Sequence, residues 1–161
     1  MKLNNVQSKN HPLLCWDIVL EGMHRKAEFK DDIKVFENYT TQNNWCDTLP
    51  PIHNALLWQN KTIVLTDEHL NIVHATENMA AMNGYQPHEV VGKHPKMFQG
   101  KDTTLAARAV IKKAVDNEQP FETVILNYKK NGHIYHCHIE GFPIFNTDGK
   151  LVNFIALEKV A

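Results

Sequence analysis

The chain has 161 residues, 43 % hydrophobic and 22 % charged, with a formal net charge of −1. That length and balance describe one folded domain with a real core, not a fibrous or disordered chain, and they lack the basic footprint of a nucleic-acid binder. Cys15, Cys46 and Cys137 are odd in number and unpaired in spacing, which points to a reducing cytoplasm rather than a disulfide scaffold. The polar stretch Met1 to His11 is no secretory signal, and no apolar run approaches the ~18 residues of a membrane span, so neither membrane nor nucleic acid is expected as a partner.

The periodicity of Leu14, Ile18, Ala27, Ile33 and Phe36, widened by Trp16, Leu20 and Met23, predicts a helix from about Pro12 to Tyr39. Gly22 is its weak point and the expected site of a kink. Thr40 to Asp47 reads as a loop, Leu49-Pro50-Pro51 as a stop, and Ile52 to Gln59 as a short helix. After Asn60 the period changes. Thr62 to Thr66 and Asn71 to Ala75 are short β-branched runs around a turn at Asp67-Glu68-His69, a hairpin pattern. Glu77 to Asn83 returns to helix and stops at Gly84, a left-handed cap. Pro87 to Val91 makes one further turn, and His94 to Lys101 is irregular. Thr103 to Asn117 is a longer helix, capped by Asp102 or Thr103, with Leu105, Ala109, Ile111 and Val115 as its buried side. Three strands end the chain: Phe121 to Lys129, His133 to Pro143 and Leu151 to Lys159. Asn131-Gly132 and Asp148-Gly149 turn between them. The plan is α+β, an antiparallel sheet with helices segregated from it.

From Thr62 onward, about 100 residues, the chain resembles a PAS domain. The features that carry the resemblance are Ile63 to Asp67, Asn83-Gly84-Tyr85, Glu89-Val90-Val91-Gly92, Asn127 to Gly132, and Asp148-Gly149-Lys150 leading into Val152-Asn153-Phe154. Gly92 to Gly100 is similar to the segment that carries the photoactive cysteine in the LOV branch. The resemblance implies a five-stranded antiparallel sheet with small helices on one face and the N-terminal helical extension on the other. It divides the chain into residues 1–60, a cap and dimerisation segment, and 61–161, the sensor. Pro95 stands where LOV domains have their reactive cysteine, and without a thiol no cysteinyl adduct forms there. Gln99 and Asn127 match flavin-contacting amides of the branch, whereas His94, Cys137 and Glu158 replace others. Glu158 in place of an amide offers only acceptors unless protonated. The implied reading is a PAS sensor without resident cofactor, with a flavin or a haem as the alternatives. For haem, His94 is the one position of interest.

Strand parity sorts the sheet faces once Asn127 is set inward. Phe121, Thr123, Ile125, Tyr135, Cys137, Ile139, Val152, Phe154, Ala156 and Glu158 then point in. Val124, Leu126, Tyr128, Ile134, His136, His138, Ile155 and Leu157 point out. The pocket expected on the inner side is formed by His94, Met97, Gln99, Ile125, Asn127, Cys137, Ile139, Phe154, Ala156 and Glu158. The outer face is too apolar to be left in water. Its Val124, Leu126, Tyr128, Ile134, His136, Ile155 and Leu157 are expected to meet Trp16 and Leu20 of the N-terminal helix, within one chain or across a homodimer.

Ten histidines invite a metal reading. His136 and His138 share a strand face, but two ligands are not a zinc site, and no metal residue is assigned. No Walker loop, nucleophile elbow or His-Glu-x-x-His motif is present, so no catalytic residue is assigned either, and a His-rich metalloenzyme is the remaining alternative. The expected role is a non-catalytic sensory and interaction domain, binding a small molecule or a partner. It would serve a histidine kinase, a cyclase or a transcription regulator. The end at Ala161, just past the last strand, suggests a piece of a longer protein or a stand-alone sensor acting in trans.

Overall fold

The computed structural model describes residues 12–161, with side chains from Trp16 onward. His11 and the side chains of Leu14 and Cys15 lie outside it. The N-terminal segment forms two helices, α1 (Pro12–Glu28) and α2 (Lys30–Gln42), followed by a short α3 (Ile52–Leu57). The expected single helix is interrupted at Phe29, not at Gly22. Phe29 leaves helical geometry at φ −100° and ψ 19° and buries its ring in the cluster beneath α2. Gly22 stays helical because the Trp58 ring lies against it: a Cβ there would come within 2.8 Å of that ring. α2 also runs past Tyr39 into the expected loop. The Thr40 and Thr41 hydroxyls donate to the carbonyls of Phe36 and Glu37, four residues back, so these side chains ride along the helix without stopping it.

The sensor half supplies β1 (Thr62–Asp67), β2 (Ile72–Ala75), β3 (Phe121–Tyr128), β4 (Ile134–Phe145) and β5 (Leu151–Val160). They form one antiparallel sheet in the order β2-β1-β5-β4-β3. β1 holds a central place because it is apolar on both sides: Ile63 and Leu65 face the outer cluster, Val64 an inner one. α4 (Met79–Asn83), α5 (Pro87–Val90), a 3-10 turn at Pro95–Phe98 and α6 (Leu105–Asp116) connect β2 to β3. α4 ends at Gly84 with φ 83°, a left-handed position that a side chain would strain.

The outer face is covered over its β1–β5 half by the chain's own α2 and α3. Phe29, Phe36, Trp45 and Leu56 pack there with Ile63, Leu65, Ile144, Ile155 and Leu157. Each such side chain contributes roughly 1.5–3 kcal/mol by leaving water. Buried polar groups fix where this cap sits. The Asn153 Oδ1 accepts from Asn43 Nδ2 at 2.8 Å and Trp45 Nε1 at 2.9 Å, and Asn153 Nδ2 donates to the Thr66 carbonyl at 2.8 Å. Asp32, buried on α2, pairs with His74 Nε2 at 2.8 Å and accepts the Glu77 N–H at 3.2 Å. Lys61 holds both carboxylate oxygens of Glu140 at 2.8 and 2.9 Å.

Two outer-face expectations are corrected. Val152, placed inward by parity, packs against the outer cluster, because the β4–β5 register slips by one residue between Ile144 and Phe145. Tyr128, placed in the interface, is tied instead to the loop before α6, as described below. Among the described residues none covers the β3–β4 half of the outer face in this way, and Val124 and Ile134 are exposed.

Candidate functional site

The inner face of the sheet and α6 enclose a cavity of about 560 Å³, with the turn around Pro95 as part of its wall. Of the residues expected to line a pocket, His94, Gln99, Ile125, Asn127, Ile139, Phe154, Ala156 and Glu158 do so. Two do not. Met97 packs on the cluster of Val64, Ile72, Val90 and Phe98. Cys137 is fully buried with Ile125, Tyr135 and Ile139, and its Sγ–H is directed to Glu158 Oε2 at 3.6 Å.

α6 forms the roof, and Ala107 and Ile111 on its inner side pack against the cluster of Met82, Ile125, Tyr135, Cys137 and Ile139. It is amphipathic, yet none of its residues is buried, and Leu105, expected in the core, is 81 % exposed. Beside that contact the helix lines the cavity with Leu105, Arg108 and Val115. Its N-cap is Thr104, whose Oγ1 accepts the Ala107 N–H at 3.3 Å, one residue beyond the expected caps. Thr103 is spoken for: its hydroxyl donates to the Leu126 carbonyl at 2.7 Å and accepts the Gly100 N–H at 2.9 Å. The Tyr128 hydroxyl donates to Asp102 Oδ2 at 2.6 Å and accepts the Asp102 N–H at 3.1 Å. The Tyr128 ring lies so close over Gly100 that a Cβ there would be 2.4 Å from it. This loop therefore pins the start of α6 to the β3 edge.

One end of the cavity is polar. Glu158 is almost wholly buried, and that burial pushes its carboxyl up to about 7, with the Cys137 thiol pulling weakly the other way. Burial likewise raises Cys137 and Tyr135 above their ordinary values. The Asn127 Oδ1 of the lining is buried with no hydrogen-bond partner among the described residues. Each buried polar group left so costs about 1–3 kcal/mol, which a ligand or an ordered water recovers by bonding to it. Away from this end the lining carries cations, Lys96, Arg108 and Lys112, with one acid, Asp116. Lys112 pairs with Asp116, and Arg108 donates to the Gly100 carbonyl at 2.6 Å. The His94 Nδ1 accepts the Lys96 N–H at 3.1 Å and so caps the 3-10 turn; burial holds its pKa below the usual imidazole value.

Sequence reasoning missed Arg108, Phe121 and Gly141 as lining. Gly141 carried a readable signal, since a glycine inside a strand marks a close approach. Here the Phe121 ring lies over it, 2.2 Å from where a Cβ would stand. It also missed the surroundings of His138. Among the described residues Glu122, His138 and Glu140 bring ligand atoms within 4.8 Å of one another, and His138 Nε2 lies 2.7 Å from Glu122. His136 is not part of that trio. Lys61 already balances Glu140, so the group reads as an ion-pair network along one strand pair.

The comparisons agree with this architecture. A PAS domain family model matches residues 60–159, and the chain belongs to that family. It is 34 % identical over 119 residues to Phototropin-2 of Oryza sativa subsp. japonica, covering 70 % of this chain and 13 % of the relative. It is 30 % identical over 109 residues to a blue-light-activated histidine kinase of Brucella ovis, covering 66 % and 22 %. The chain thus spans only 13 % and 22 % of those relatives' lengths. Among solved structures, a light-oxygen-voltage domain from work with a flavin analogue superposes with a TM-score of 0.64 at 23 % identity, covering 70 % of this chain and 85 % of that one. The LOV domain of the Erythrobacter litoralis EL346 blue-light activated histidine kinase gives 0.59 at 23 %, covering 62 % and 94 %. The chain is a PAS domain of LOV kinship, a sensory module of signal transduction. No described helix is long and apolar enough to cross a membrane.

Proposed function

We propose that this domain is a non-catalytic sensor whose inner cavity takes a small molecule, and that occupancy seats α6 on the sheet. The observation that carries this reading is the roof: an amphipathic helix with no buried residue above about 560 Å³ of lined space. A ligand filling that space adds apolar contacts to those that Ala107 and Ile111 of α6 already make, and it bonds to Asn127 and Glu158. The change passes through β5, whose opposite side bears the α2–α3 cap, and reaches α1. The protein acts as a homodimer in the cytoplasm, coupled to a histidine kinase, a cyclase or a transcription regulator. Hydrogen exchange tests the central step. In ligand-free protein the amides of residues 105–116 should exchange much faster than those of β5. Equal protection of the two would remove the reading.

A second reading, a non-covalently bound flavin, is favoured by the lining itself. The partnerless Asn127 Oδ1, Gln99 and a protonated Glu158 suit the amide edge of a flavin ring, and Lys96 and Lys112 suit an anionic tail. When bound, a flavin would supply blue-light absorption and redox chemistry. The chain's contribution would be to hold it, with Pro95 and no thiol in the wall. The absorption spectrum of freshly purified protein decides: flavin bands support this reading, and a colourless protein that gains no thermal stability from added flavin mononucleotide removes it. His94, whose Nδ1 is engaged, gives haem no comparable support.

A further inference from the structure

The polar groups of the cavity are divided between its two walls. On the sheet, Asn127 and Glu158 line it although they are only 3 % and 4 % exposed. The Asn127 Oδ1 has no partner among the described residues, and a carbonyl oxygen can only accept, so this wall requires a donor. On α6, the half-buried Arg108 lines the same space. One arm of its guanidinium donates to the Gly100 carbonyl at 2.6 Å, which fixes the fork. Its Nε is shielded from solvent and has no partner among the described residues, and none of their carboxylates pairs with it. A cation placed in this way requires an anion.

The other two cations of the lining differ. Lys112 is 73 % exposed and already pairs with Asp116, and Lys96 is exposed. Such charges draw an anion towards the mouth but hold it weakly, because water and salt screen them. Arg108 therefore decides where an anion rests, and that place is under the helix. Glu158 rules out the other wall: a buried carboxyl that ionises around neutrality repels a second negative charge beside it. Between the walls the lining is largely aliphatic, with Val64, Val115, Ile125 and Ile139 among its members. Two of its phenylalanines are engaged elsewhere, Phe98 against the Tyr85 ring and Phe121 over Gly141. A flexible hydrocarbon chain suits such walls.

We propose that the cavity takes a hydroxylated aliphatic carboxylate, its carboxylate bound by Arg108 under α6 and its hydroxyl donating to Asn127 on the sheet. The inference rests on the small-molecule reading of the cavity and names the class of that molecule.

Titration calorimetry on the full chain tests it with three probes of one chain length: 10-hydroxydecanoate, decanoate, which lacks the donor, and 1,10-decanediol, which lacks the anion. The hydroxy acid should bind about tenfold more tightly than either, the weight of one charged or buried hydrogen bond. Arg108→Met should abolish the advantage over the diol and keep that over decanoate. Asn127→Leu should do the reverse. Each variant is judged by a ratio between two ligands, so a general loss of stability cancels. Lys112→Met should change both ratios by no more than about twofold, and Ala156→Leu should weaken all three probes together, which locates them in the cavity.

Equal binding of hydroxy acid and diol to wild type overturns the inference, and so does a preference that survives Arg108→Met; either result leaves a cavity ligand of other chemistry standing. Binding that Ala156→Leu leaves untouched lies elsewhere on the molecule and overturns it equally. Failure of all three probes to bind overturns it as well, whereas the small-molecule reading falls only on the hydrogen exchange of residues 105–116. If Arg108→Met does not fold, Arg108→Gln gives the same ratio.

Discussion

Glu158 sits where parity and resemblance placed it, on the inner face, yet its chemistry follows from burial that no sequence pattern quantifies. Its carboxyl is raised from 4.5 to about 7, so the folded chain binds a proton there more tightly than the unfolded chain. Stability from this group is therefore complete below about pH 4.5 and lost as pH rises through 7. Glu158→Gln removes the titration while keeping the shape. Chemical denaturation should show the variant gaining on wild type between pH 5 and 8, by on the order of 3 kcal/mol. A constant difference across that range would mean that the carboxyl is not desolvated. Asn127 and Glu158 were legible because a strand's period of two is rigid. Tyr128 obeys the same parity but was misplaced, since its fate depends on Gly100, 28 residues earlier and unadorned by any local signal.

α2 is held to the sensor by one buried carboxylate that nothing in its own helical pattern marks. Asp32 joins α2 to β2 through His74 and to the turn before α4 through the Glu77 N–H. Asp32→Ala leaves both donors short of an acceptor and should cost about 2–3 kcal/mol in thermal or denaturant unfolding. α2 should also exchange its amides earlier than β5 does. The sequence displayed the helices and their approximate spans because periodicity is local. It misjudged the break, as glycine weakness at position 22 is outweighed by the Trp58 ring seated there, and the long-range burial of Phe29 decides where the chain turns. For α6 the apolar stripe was visible and its burial was not. Amphipathicity says which side faces inward, not how far along it the packing extends: Ala107 and Ile111 reach the core cluster and Leu105 does not.

The whole molecule is packed unequally on the two sides of its sheet. Outside, α2 and α3 press onto β1 and β5; inside, α6 meets the sheet through Ala107 and Ile111 and otherwise borders the cavity. Leu157→Ala, in the dense layer, should cost about 2–5 kcal/mol. Ala156→Leu, one residue earlier and facing the cavity, puts its added methylenes into open space and should cost less than Leu157→Ala while reducing whatever the cavity binds. Urea denaturation of the pair measures the contrast, and similar losses at both sites would mean that the cavity is not open in solution.

β5 serves both sides by alternation: Phe154, Ala156 and Glu158 look into the cavity, and Asn153, Ile155 and Leu157 hold the cap. Someone wishing to give this domain another relative's ligand preference could not transplant the strand whole. The graft would need to bring the donor's residues at 154, 156 and 158 and keep the host's at 153, 155 and 157, because two different inheritances are interleaved along one stretch of backbone.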